Sequence, residues 1–65
     1  MLEILKAEKV RIINEIISVI NKKNLDITFV CKQLFIEPNE FVKILKYPNS
    51  KISIYMDILE LVTQL

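Results

Sequence analysis

Asn39, Lys43 and Lys46 stand at i, i+4 and i+7 in the segment PNEFVKILK, so a helix over those residues would line up one amide and two ammonium groups. Groups of that kind can hold a partner by hydrogen bond and charge. An amide can pair with an adenine edge, and an ammonium can reach a guanine acceptor or a phosphate. The residues that support catalysis are scarce by comparison. There is no histidine and no glycine, hence no glycine-rich phosphate loop, and no serine or cysteine has an evident base partner. The carboxylates are scattered over helix ends and surface positions, so the chain is not expected to be an enzyme. One cysteine, Cys31, without any histidine leaves neither an internal disulfide nor a Cys/His metal set, and no metal or cofactor is expected.

The elements that must position the stripe can be located from breakers and periodicity. With glycine absent and proline only at 38 and 48, punctuation falls to Asn, Asp, Ser and those two prolines. Four helices are predicted, at about 2–22, 26–34, 38–46 and 53–64, in one all-α domain over 1–65. Asp26 is placed to cap the second helix and Glu37 the third, whose first turn holds Pro38, where a missing N–H costs nothing. Tyr47, Pro48, Asn49 and Ser50 form a turn, and Ser53 is placed to cap the last helix, whose apolar arc runs from Ile54 and Tyr55 through Ile58, Leu59, Leu61 and Val62 to Leu65.

The first helix carries two adjacent apolar strips, Val10, Ile13, Ile17 and Ile20 on one and Leu5, Ile12, Ile16 and Val19 on the other. Together they cover about half the cylinder, wider than the ~100° stripe that one core needs. A 65-residue chain that is 52% hydrophobic also has more apolar residues than a lone domain of this size usually carries. One strip is therefore expected to serve the core and the other, Leu5, Ile12, Ile16 and Val19, a homodimer interface. Membrane insertion is not expected, since no segment approaches ~18 consecutive apolar residues. The start MLEILKAEKVR has no signal-peptide pattern, and Glu3, Glu8 and Glu15 beside Arg11 suit anionic lipid poorly. The chain reads as cytoplasmic.

Around the break between the second and third helices, DITFVCKQLFIEPNEFVKILK has apolar residues at Val30, Leu34, Ile36, Phe41 and Ile44 and a small residue, Cys31, where the two helices would approach. This pattern resembles the helix-turn-helix of the phage-repressor-like, Cro-type DNA-binding family, and the flanking helices extend the resemblance over roughly Val10 to Leu65. The resemblance implies a compact four-helix domain containing a helix-turn-helix. It also implies that the third helix enters the major groove of double-stranded DNA through Asn39, Lys43 and Lys46. Thr28, Lys32 and Lys51 would be flanking contacts, while Lys22 and Lys23 would lie farther off. The protein would then be a small transcriptional regulator of phage or mobile-element type, acting as a homodimer without a small-molecule substrate.

Two departures from that family matter. The turn slot usually held by glycine is Phe35, and a left-handed Phe would cost ~1–2 kcal/mol, so either the turn is reshaped or the ring is buried to offset the strain. Ile27, Phe29 and Val42 are apolar where such a domain is usually polar, and an exposed cluster of that kind suits a protein interface. The alternative is thus a protein-interaction module, such as an antirepressor, that keeps the fold and no longer binds DNA. Net charge does not choose between them, with nine basic residues against eight acidic ones. Glu37 and Glu40 would bring negative charge near phosphates, although both suit a helix N-terminus and Glu40 could pair with Lys43.

Overall fold

Each of the four periodic stretches forms a helix, and the ends of those helices are set by means other than glycine. The computed structural model describes residues 2–65, with side chains from Lys6 onward. The helices are α1 (Leu2–Lys23), α2 (Ile27–Leu34), α3 (Pro38–Lys46) and α4 (Ile52–Gln64), and no strand occurs among the described residues. The all-α expectation is met.

α1 ends at Asn24, which takes φ 55, and α2 ends at Phe35, with φ 58. Both ends have the same hydrogen-bond pattern. Leu25 N–H reaches Ile20 O at 3.0 Å and Asn24 N–H reaches Asn21 O; Ile36 N–H reaches Cys31 O at 3.1 Å and Phe35 N–H reaches Lys32 O. These paired bonds satisfy carbonyls left over at a helix end, at the cost of one left-handed residue. Asn adopts that conformation readily, whereas Phe does not.

The helix starts are less uniform. Asp26 caps α2 as expected, its Oδ1 accepting from Thr28 N–H at 3.0 Å. Glu37 has the extended backbone of a cap before Pro38 but makes no side-chain cap bond. Ser53 does not cap α4: the helix starts one residue earlier at Ile52, with Lys51 in the cap position and Ile54 N–H bonded to Lys51 O at 3.0 Å. A local side-chain contact supports this start, because Ser50 N–H is held by the hydroxyl of Tyr55.

The core is built from Ile12, Ile13, Ile16 and Ile20 of α1, Val30 and Cys31 of α2, Phe41 of α3, and Tyr55, Ile58 and Val62 of α4. α1 and α4 make the most extensive helix pairing, and α2 and α3 form a smaller second pair. The C-terminal ends of α1 and α4 meet, where Lys23 Nζ donates to Val62 O at 3.2 Å and to Thr63 O. A cation there answers the exposed carbonyls and the negative end of the α4 dipole.

The division of α1 into a core strip and a dimer strip is corrected by this packing. Ile12 and Ile16 lie in the monomer core, Ile16 fully, and Val19 is half-buried against it; the side chain of Leu5 lies outside the described residues. The buried face is centred between the two strips because α4 packs there, leaving Val10 and Ile17 exposed on its flank. Ile12 and Ile16 are therefore unavailable to a partner. Ile16→Ala is expected to destabilise folding by about 2–5 kcal/mol, with a denaturant midpoint that shifts equally at all protein concentrations. A loss that vanished at high protein concentration would instead restore Ile16 to an interface.

Candidate nucleic-acid interface

α3 has a strict division of faces. Phe41 is buried and Ile44 and Leu45 are half-buried, while Asn39, Glu40, Val42, Lys43 and Lys46 point outward. Two anchors set this rotation. The first is the Phe41 ring in the core. The second is the hydroxyl of Tyr55, reaching across from α4 to the end of α3: it accepts from Ser50 N–H at 3.2 Å and faces the carbonyls of Ile44 at 3.2 Å and Tyr47 at 3.3 Å. One proton serves two acceptors, so the hydroxyl holds the last turn of α3 and the start of the next loop together.

Outside, Asn39, Lys43 and Lys46 line one shallow depression of ≈ 370 Å³, with Val42 and Tyr47 completing its wall. The structure thus brings the expected stripe together. The Lys46 ammonium sits 5.6 Å from the centre of the Tyr47 ring, an exposed cation–π contact that orients the lysine at the lip of the depression. Periodicity had placed Tyr47 only in a turn. Its signal was the aromatic residue next to a helix-ending lysine.

The other basic and polar candidates have different settings. Thr28, Lys32 and Lys51 are exposed but do not line the depression. The Glu40–Lys43 pair is not formed: the ion pair among the described residues is Arg11 Nη2 with Glu8 Oε2 at 2.9 Å, on α1. Glu8 accordingly raises the Arg11 pKa further. Lys43 is left to face the depression.

The apolar candidates divide. Ile27 is half-buried against the core and so is corrected out of the exposed cluster, because the first turn of α2 rotates it inward. Phe29 and Val42 are exposed, Val42 at 55% and within the depression itself. Cys31 is buried, and desolvation of its thiolate pushes the thiol pKa up, as befits a small inert core residue. Stability from the neutral thiol is complete below its unfolded pKa and is lost as pH rises through the folded value.

Phe35 resolves neither way that its sequence position suggested. The turn keeps its left-handed residue and the ring is not buried, being 94% exposed. Its strain of ~1–2 kcal/mol is therefore not offset within the monomer.

Among the described residues no cluster of His, Cys, Asp and Glu could hold a metal, and no helix is long and apolar enough to cross a membrane. No family model matches the chain, and neither a curated protein nor a solved structure does.

The hydroxyl anchor makes a direct prediction. Tyr55→Phe keeps the buried ring but removes the bonds to Ser50, Ile44 and Tyr47, and is expected to cost about 1–2 kcal/mol. Amide exchange should accelerate most at the end of α3 and in the loop at Tyr47–Ser50. Uniform acceleration across all four helices would show that the hydroxyl has no local role.

Proposed function

We propose that this protein is a small DNA-binding regulator that sets α3 against double-stranded DNA, with α2 and α3 as a helix-turn-helix, and that it acts as a homodimer in the cytoplasm. One observation carries this: Asn39, Lys43 and Lys46 share a single depression on the outward face of a helix whose inward face is fixed by Phe41 and Tyr55. A rigid helix with an amide and two ammonium groups on one line suits a groove with base-edge acceptors and phosphate walls. Val42, between the polar residues, is placed to meet a thymine methyl. Lys32 and Lys51 supply further charge on exposed flanks. The chemistry is binding, with neither a bond-breaking step nor a small-molecule substrate.

A second reading, a protein-interaction module derived from the same fold, draws its support from Phe29 and Val42, which expose apolar surface near the same helices. The two readings separate on salt. Under the first, binding to labelled duplex DNA, followed by fluorescence anisotropy, weakens steeply as salt rises. Replacing a phosphate-contacting lysine by Lys43→Ala lowers affinity and reduces the log–log slope by about 0.9. If the chain has no affinity for duplex at low salt, or if Lys43→Ala and Lys46→Ala leave affinity and slope unchanged, α3 is not a DNA reader and the second reading takes precedence.

A further inference from the structure

Between the α2–α3 turn and the first half of α4 lies an open apolar notch of ≈ 160 Å³, walled by Leu34, Ile36, Ile44, Ile54 and Ile58, with Asp57 as its one charged residue. A volume near ~150 Å³ lined by aliphatic side chains is the size that takes one benzene ring. Phe35 sits between two of the wall residues, yet its ring is 94% exposed. Its backbone is left-handed, with φ 58 and ψ 38, and its own ring does not line the notch.

We infer that the notch receives the Phe35 ring of a second copy of this chain, in a two-fold dimer with two reciprocal insertions. The occupant follows from the placement. The knob is flanked in the chain by two residues of the notch wall, Leu34 and Ile36, so a two-fold axis beside the α2–α3 turn fills both notches and closes the assembly. A knob and a notch on opposite sides would instead build an open chain.

Charge agrees with this pairing. Lys32 lies one helical turn before Phe35 and is exposed, while Asp57 stands in the notch wall. Inserting the ring brings the Lys32 ammonium of one copy towards the Asp57 carboxylate of the other, twice over.

Size sets the strength. Each Phe ring buries about 150–250 Å², and the notch walls and the Lys32–Asp57 rim add to it. The sum stays below the ~1,200–2,000 Å² of specific interfaces. Association is therefore weak and concentration-dependent. It gives Phe35 the stabilisation that the monomer lacks, since the ring leaves water only in the dimer. The interface uses none of Asn39, Lys43 or Lys46, so it stands whether or not α3 binds DNA.

Sedimentation equilibrium of the whole chain from micromolar to millimolar concentration tests the inference. Wild type should pass from monomer to dimer, and Phe35→Gly should weaken association roughly thirtyfold, the effect of losing an aromatic hot spot. At a dilution where both are monomeric, Phe35→Gly should melt no lower than wild type, because the left-handed strain is gone. Ile54→Lys, which fills the notch with a charge, should act like Phe35→Gly. Lys32→Glu and Asp57→Lys should each weaken the dimer, and together restore it. A wild type that stays monomeric throughout, or a Phe35→Gly variant that dimerises as well as wild type, would overturn the assignment. Lys43→Ala should leave the mass unchanged, so failure of DNA binding and failure of the dimer are read separately.

Discussion

The buried hydroxyl of Tyr55 is the contact on which the outward half of this protein depends. Tyr55 is completely inaccessible, and its hydroxyl is, among the described residues, the one polar side-chain group hydrogen-bonded to both the end of α3 and the loop that leads into its own helix, α4. An aromatic residue in that place supplies core volume, but a hydroxyl buried with it must find partners. Its partners are the carbonyls that end α3 and an amide that precedes α4. No buried side-chain polar atom is left without a partner among the described residues. The rotation of α3 therefore follows from one side chain on another helix, with Phe41 as the second point of attachment.

The remaining architecture supports that arrangement. α1 and α4 form the larger helix pair, fastened at their ends by Lys23 on the carbonyls of Val62 and Thr63. The second pair is joined to it through Val30, Cys31 and Phe41. The buried residues of all four helices belong to one cluster, and a domain of this length has little stability to spare. The absence of glycine shows where that economy has a cost. Asn24 meets its left-handed turn with a suitable residue, whereas Phe35 meets the same geometry with one that resists it.

Much of this was legible in the residues themselves. Breakers located all four helices to within a residue or two, Asp26 identified its own cap, and rotation along α3 separated Phe41, Ile44 and Leu45 from Asn39, Lys43 and Lys46. The errors have physical causes. On α1 the apolar arc was wide enough for two faces, and only the position of α4 decides that the core is centred near Ile16 rather than on either strip. Ile27 looked exposed because helix phase is hard to assign in an eight-residue element. The Phe35 conflict was visible, but not its outcome, since strain can be offset by contacts that one chain does not make. The Tyr55 hydroxyl left no periodic trace, because periodicity reports a ring and not the bonds at its tip.

Two surfaces of different character result, a polar one on α3 and an apolar one at the turn before it. The polar surface carries the proposal that α3 is an interface for DNA. Amide and side-chain chemical shifts of the labelled protein, recorded with and without duplex DNA at low salt, test it most directly. Salt-sensitive shifts are expected on Asn39, Val42, Lys43, Lys46 and Tyr47, with the exposed side of α1 at Val10 and Ile17 unmoved. Shifts centred on α1, or none at all, would contradict it.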